Sequence, residues 1–316
     1  MMKKINDIIG DAKTIGIAGH VRPDGDCMGS CMSLYNYLKK NRPDLDVRVF
    51  LEFVDKKFNI IKNTDQIITT GYDGTKFDLF ISLDTASLDR LGLNLPFYEN
   101  AKRTACIDHH ASNDGYADYN YILPKASSAS EVLYDLLDED LIDKSIAEPM
   151  YMGIAHDSGV FRFQSTTPKT MRIAANMIEK GVNVNMILEE TFFRKTYNQM
   201  MVTAKIQSEA VLALDGKCIY GYCTSEMMEE YGVTTKDLDA VVASIRNVDG
   251  VEVAMFLYQL SEDSYKVSLR SKNYVDVSKI AVENGGGGHV RAAGAEIHGE
   301  LNDIINKLLN RIKQDI

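Results

Sequence analysis

The chain has 316 residues, of which 45% are hydrophobic and 25% charged; this excludes disordered and collagen-like architectures and provides for about two domains. A formal net charge of −10 argues against partners held by many Lys/Arg–phosphate contacts, so no long nucleic acid is expected, whereas a short anionic substrate can still bind where a few local cations or metals invert the field. Five cysteines without a C-x-x-C pair argue against a disulfide framework or a zinc knuckle, and no apolar run reaches the length of a membrane span.

The opening MMKKINDIIGDAK carries charge but no apolar h-region, so a soluble, cytoplasmic protein is expected. Apolar runs at Thr14–Ala18, Val47–Leu51, Phe77–Leu83 and Thr104–Ile107 predict strands, and Met28–Lys40, Ser130–Leu137 and Ala147–Ala155 predict the helices between them. This alternation predicts an α/β fold with a mostly parallel sheet flanked by helices. In such sheets ligands bind at the carboxyl ends of the strands. Thr170–Lys180 reads as a further helix stopped by Gly181. A polar, Met-rich helical stretch from about Tyr197 to Leu214 (a linker helix spanning roughly 185–214) then leads into a second, smaller α/β domain, expected across a cleft. There Lys217–Cys223, Val251–Leu260 and Tyr265–Arg270 predict strands, while Ser225–Tyr231, Leu238–Ile245 and Leu301–Lys313 predict helices.

The chemistry concentrates at the ends of predicted elements. HVRPDGDCMGS supplies His20, Asp24 and Asp26, and Pro23 and Gly25 predict a loop here, with the helix starting near Met28. One imidazole with two carboxylates, and no thiolate, suits Mn²⁺ or Mg²⁺ and accepts Zn²⁺ or Fe²⁺. Asp84 follows the apolar FDLFISL, Asp108-His109-His110 follow the next strand, and Asp157 lies in GIAHDSG after a helix. Each alone reads as a turn or a helix cap. Together, at the ends of neighbouring elements, they point to one dinuclear site at the sheet edge.

In that order, HVRPDGD, LDT, DHH and AHDSG resemble the four motifs of the DHH phosphoesterase superfamily, over Gly19–Gly159. The resemblance implies that His20, Asp24 and Asp84 hold one divalent ion and that Asp26, Asp84, His109 and Asp157 hold the other, with Asp84 as the bridge. It implies that Asp108 orients His109 from behind, as metal-bound histidines require. His110 would face the substrate, binding phosphate or donating a proton, so that Asp84 and His110 carry catalysis. His156 departs from the family pattern, where a small polar residue is common, and adds a possible ligand or phosphate contact. Further on, GGGGHVRAAG resembles the glycine–histidine motif of the DHH-associated C-terminal domain, and implies substrate binding by Gly286, Gly287, Gly288 and His289 with Arg270. Arg246 and Arg291 are additional candidate phosphate cations, while Lys272 and His298 read as surface residues. On this reading about residues 1–190 form the catalytic, metal-binding domain and 191–316 the substrate-binding domain.

The soluble two-domain pattern resembles the nanoRNase group within this superfamily, enzymes that hydrolyse short oligoribonucleotides and 3′-phosphoadenosine 5′-phosphate (pAp). The resemblance implies two divalent ions as cofactors, Mn²⁺ foremost, with Mg²⁺, Co²⁺ or Fe²⁺ as alternatives. Short RNA or a small nucleotide would be the substrate, with no membrane partner and with a homodimer left open. A soluble phosphodiesterase for pApA or c-di-AMP is the alternative within the family, and a non-catalytic nucleotide-binding regulator the alternative outside it. No SRKKQ-like motif of family II pyrophosphatases is found, and neither the added nucleic-acid domains of RecJ nucleases nor the membrane sensors of cyclic-dinucleotide phosphodiesterases are expected.

Overall fold

The computed structural model describes residues 4–238 and 241–316 and divides into two compact units, Met1–Arg194 and Lys195–Ile316. In the first unit six strands, β1 (Thr14–Ala18), β2 (Asp46–Phe50), β3 (Ile67–Ile68), β4 (Leu79–Leu83), β5 (Thr104–Asp108) and β6 (Tyr119–Ile122), form one parallel sheet in the order β3-β2-β1-β4-β5-β6. Parallel strands covered on both faces read as unbroken apolar runs, and β4 and β5 are buried at every residue. Their alternate side chains feed two cores. Ile15, Ile17, Ile81 and Ile107 pack with α1 (Ile5–Ile9), α2 (Gly25–Asn41), α4 (Ala129–Leu136), α5 (Lys144–Asp157), α6 (Pro168–Glu179) and α7 (Val184–Leu188). Ala18, Phe50 and Phe80 pack on the opposite face with Phe97 and Tyr98 of α3 (Leu95–Glu99).

Helix α2 is buried without interruption from Gly25 to Leu38 and crosses α5 at very short range. Two glycines permit it: a Cβ on Gly29 would lie 2.5 Å from Pro149 O and 2.8 Å from Gly153 Cα. Polar residues on this buried face are satisfied locally, Ser33 Oγ donating to Gly29 O at 2.6 Å and Asn36 Nδ2 to Ser145 O at 2.8 Å. The helix starts at Gly25, three residues before the position expected from the sequence. Asp24 is its N-cap, accepting from the N–H groups of Asp26 and Cys27, so Asp26 lies in the first helical turn and not in a loop.

The second unit holds a mixed sheet of β7 (Val211–Ala213), β8 (Cys218–Cys223), β9 (Val253–Ser261), β10 (Ser264–Ser271), β11 (Gly287–His289) and β12 (Ala292–His298), ordered β11-β12-β10-β9-β8-β7, with only the β8–β9 pair parallel. One face is covered by α8 (Tyr197–Glu209), α9 (Ser225–Tyr231) and α10 (Val241–Ile245), the other by α11 (Val277–Val282) and α12 (Leu301–Ile312). The stretch read as one linker helix is in fact four pieces. Helix α7 runs into a π-helical turn, Glu189–Phe193; α8 starts afresh behind the capping pair Thr196–Gln199; and α8 ends at Glu209, because Val211–Ala213 pairs with β8 as an edge strand. Within the predicted helix Leu238–Ile245, Asp239 and Ala240 lie outside the described residues. After β10, buried Glu252 accepts hydrogen bonds from the N–H groups of Asn273, Tyr274 and Val275 at 3.0, 2.8 and 3.0 Å, which fixes that turn.

Candidate metal centre

The strand order reverses between β1 and β4, and the two segments leaving this switch point carry His20 and Asp84. His20 Nδ1 lies 2.8 Å from Val21 O, a bond in which the ring N–H donates and which directs Nε2 to the carboxylates: 3.5 Å to Asp84 Oδ2 and 3.8 Å to Asp24 Oδ2. Arg90 reaches the same Nδ1 at 3.3 Å. Asp84 has φ +52°, a left-handed backbone that aspartate tolerates better than most residues, and its N–H donates to Ile107 O of β5. Its other oxygen, Oδ1, lies 3.4 Å from His109 Nε2, which is also 3.4 Å from Asp157 Oδ2 and 4.0 Å from Asp26 Oδ2. One buried carboxylate thus turns one oxygen to each of two donor groups.

The remaining candidate donors are held just as firmly. Asp26 accepts at both oxygens from the start of α4: from Ala129 N at 2.6 Å, Ser130 N at 3.0 Å and Ser130 Oγ at 2.6 Å. Gly153 of α5 passes so close that a Cβ there would overlap Ser130 Oγ and lie 2.7 Å from Asp26 Oδ1. Asp108, fully buried, pairs with His110 Nδ1 at 2.8 Å and with Asn113 Nδ2 at 2.7 Å. The expected partner was His109. The two rings lie side by side, centroids 4.7 Å apart, and both face Asp84 Oδ1, but it is His110 Nδ1 that takes the Asp108 carboxylate.

His156 belongs to none of the donor clusters among the described residues. Its ring packs on Gly25, where a Cβ would overlap it, and edge-on to Phe192 at 5.2 Å. Thr191 Oγ1 donates to Ile187 O at 2.7 Å and therefore accepts from His156 Nε2–H at 2.9 Å.

The buried groups shift one another strongly. Burial, then the neighbouring Asp84, push Asp26 up to about 7. Burial disfavours a charged His109, yet Asp84, Asp157 and Asp26 outweigh it and push the ring up to about 10. Burial also opposes the Asp84 charge, but His109 and His20 hold its carboxyl well below the usual range. Groups of imidazole and carboxylate atoms within 4.8 Å of one another are a donor set that could hold a divalent ion. Cys27, Ser130, Gly153, Asn113 and Arg90 were not singled out by sequence reasoning. Ser130 and Gly153 act across about a hundred residues of chain, which leaves no local periodicity to read.

In the second unit, register pairs Arg270 of β10 and His289 of β11 with the same residue, Ala292 of β12. Directly opposed residues project from the same face, so Arg270 and His289 flank one small residue on the face opposite α11 and α12. Gly286 and Gly288 are required by backbone contact: a Cβ on Gly286 would overlap Gly294 O, and one on Gly288 (φ +141°) would lie 2.5 Å from Ala292 O. Gly287 faces open space. Arg246 and Arg291 reach the backbone at Ser271 O (3.5 Å) and Val275 O (2.8 Å), beside the turn fixed by Glu252. Lys272 bonds Val248 O, and His298 is exposed.

This arrangement of fold and site is that of a hydrolytic phosphoesterase. The chain belongs to the DHH family: residues 14–154 match the DHH family N-terminal domain, and residues 215–315 match the DHHA1 domain. It is 30% identical to the bifunctional oligoribonuclease and PAP phosphatase NrnA of Thermus thermophilus, over 96% of this chain and 90% of that protein. It is 29% identical to the probable bifunctional oligoribonuclease and PAP phosphatase NrnA of Streptococcus mutans, over 95% of each. The crystal structure of an exopolyphosphatase-related protein from Bacteroides fragilis, at 23% identity, covers 98% of this chain and 95% of its own with a TM-score of 0.89, and shares the fold. Phosphoesterases of this family are metal-dependent. No helix among the described residues is long and apolar enough to cross a membrane.

Proposed function

We propose that this protein hydrolyses short oligoribonucleotides and pAp with two divalent cations, in the cytoplasm. The observation that carries the reading is the split of Asp84, one oxygen toward His20 and Asp24 and the other toward His109, Asp26 and Asp157. Full-length similarity to oligoribonuclease and PAP phosphatase relatives supports the substrate class. The carboxylate-rich donors suit Mn²⁺, with Mg²⁺, Co²⁺ or Fe²⁺ as alternatives. When bound, such a pair supplies Lewis acidity that activates water and offsets charge on the phosphoryl oxygens.

The chain's own groups do the rest. Asp24 keeps one oxygen on the α2 N–H groups, which leaves Oδ2 facing His20. Asp26 is immobilised on α4, so the ligands are preorganised before any ion arrives. His110, fixed at Nδ1 by Asp108, is the group for a phosphoryl oxygen or for protonating the leaving oxygen. Arg270 and His289, in one cross-strand row of the DHHA1 domain, are assigned to the substrate's phosphate. Of the three glycines assigned to the substrate, Gly287 faces open space, while Gly286 and Gly288 let the loop lie flat against β12.

The test is a rate profile with Mn²⁺ on pAp, pApA, c-di-AMP and RNAs from two nucleotides to roughly two dozen, beside metal-free protein. The −10 charge favours dinucleotides to about five-mers over long strands. A kcat/KM that climbs steadily with RNA length, or turnover without metal, overturns the proposal.

A further inference from the structure

A thiol stands among the nitrogen and oxygen donors. Cys27, in the first turn of α2, is fully buried, and its Sγ lies with ligand atoms of His20 and Asp84 in a group spanning no more than 4.8 Å. Gly19, just past β1, makes the room: a Cβ there would overlap Cys27 Sγ and approach Cys31 Sγ to 3.2 Å. The Cys27 thiol lies 3.9 Å from His20 O and also meets the Cys31 thiol. Cys27 packs in the apolar core beside Met28 and Cys31, and on its other side its sulfur meets an imidazole and the Asp84 carboxylate. The His109 end of the site, by contrast, gathers only imidazole and carboxylate atoms from Asp26, His109 and Asp157.

We propose that Cys27 is a further ligand to the cation held by His20 and Asp84, so that the two ends of the centre differ in softness and the His20 end selects a thiophilic divalent ion, Zn²⁺ or Co²⁺, over Mn²⁺. The inference rests on the metal-centre reading above. Soft thiolate draws Zn²⁺ and Co²⁺, while carboxylate, imidazole and water suffice for Mn²⁺. The balance is simple: the S–H bond breaks, one proton leaves to solvent, and a sulfur–metal bond forms, with nothing oxidised or reduced. A mixed pair then becomes the stable state, a soft ion at the His20 end and a hard one at the His109 end.

Cobalt gives a readout independent of turnover. Metal-free full-length protein, Cys27→Ser, Cys27→Ala and Cys31→Ala are titrated with Co²⁺ and followed by absorbance. The wild type and Cys31→Ala should develop a near-ultraviolet sulfur-to-cobalt charge-transfer band, saturating with one equivalent, that both Cys27 variants lack while keeping the visible ligand-field bands. The preference for Zn²⁺ over Mn²⁺ in competition should fall by about tenfold or more in Cys27→Ser, the scale on which metal sites respond to altered support. Ligand-field bands without a charge-transfer band in the wild type overturn the assignment of Cys27, as does an unchanged Zn²⁺/Mn²⁺ preference in Cys27→Ser. No cobalt binding to the wild type at all instead overturns the metal centre, and the proposal with it. Matching circular dichroism of the near-isosteric serine variant separates ligand loss from misfolding.

Discussion

Replacing Gly153 by alanine sets two effects against each other. Gly153 lies inside α5, where alanine is worth about 1 kcal/mol of helix propensity. The new methyl, however, would overlap Ser130 Oγ, lie 2.7 Å from Asp26 Oδ1 and lie 3.0 Å from Ser130 Cβ. Neither neighbour can yield freely, because Ser130 N and Oγ both donate to Asp26 Oδ1, and Ala129 N donates to Oδ2. Overpacking a buried site costs about 1–3 kcal/mol, and losing one hydrogen bond to a charged group costs about 1.5–3 more. After the propensity gain, Gly153→Ala should be destabilised by about 1.5–5 kcal/mol. Asp26 is the group displaced, so Mn²⁺ affinity should fall by about 10–100-fold. Urea unfolding of metal-free protein reads the first effect, and calorimetric titration with Mn²⁺ reads the second. Adding Ser130→Ala should recover part of the stability, since it removes the overlapping oxygen, but none of the metal affinity. A Gly153→Ala protein of wild-type stability and wild-type Mn²⁺ affinity would refute the placement of Asp26 between α4 and α5.

Asp84→Ala and Asp84→Asn should abolish turnover and lower metal occupancy, measured by elemental analysis after dialysis, while circular dichroism stays that of the native fold; near-wild-type activity in the alanine variant would sink the bridging role. Arg270→Ala and His289→Ala should each lose kcat/KM on pAp or a dinucleotide, by the equivalent of about 1.5–3 kcal/mol, yet hardly change hydrolysis of bis-p-nitrophenyl phosphate, which is too small to use a phosphate clamp. Equal losses on both substrates would instead place these residues in the chemical step or the fold. For Glu252, burial opposes the charge but the bonds from Val275, Tyr274 and Asn273 outweigh it, holding the carboxyl below its usual range. Its contribution is therefore complete above the unfolded-state value of about 4.3 and is lost as pH falls through the lower folded value. Glu252→Gln should cost about 1.5–3 kcal/mol at pH 7. A gap to the wild type that stays constant in melts taken down to acid pH would count against this account.

The strands were legible because a parallel sheet buried on both faces writes itself as apolar runs, and β4 and β5 do so without a polar interruption. The ends of those runs disclosed His20, Asp84 and the Asp108–His110 group for the same reason. What escaped was whatever depended on packing between distant segments. Pro23 and Gly25 read as a loop, yet Asp24 caps a helix that begins at Gly25, and the glycine is there because the His156 ring occupies the space of its side chain. Asp108 was paired with its neighbour in sequence, whereas the hydrogen bond goes to His110 Nδ1, a choice between two adjacent rings that sequence does not decide. The end of α8 was missed because Val211, Leu212 and Ala213 continue an apolar helical pattern as well as they make an edge strand.

If Asp26 is a metal ligand as proposed, it belongs to two structures at once, since its carboxylate also closes the buried N–H groups at the start of α4. The supply of metal is thereby tied to the lifetime of the polypeptide. An ion that binds only the native state at a hundred times its Kd adds about 2.7 kcal/mol, and a change of 1–2 kcal/mol is roughly enough to alter the abundance of a protein in cells several-fold. Starvation for the cation would remove this enzyme by proteolysis as well as by idling it, and restored metal would reload only the chains that survived or were newly made. Its quantity, measured by immunoblot during chelation and against an unchanged transcript, becomes a record of how much divalent metal the cell holds.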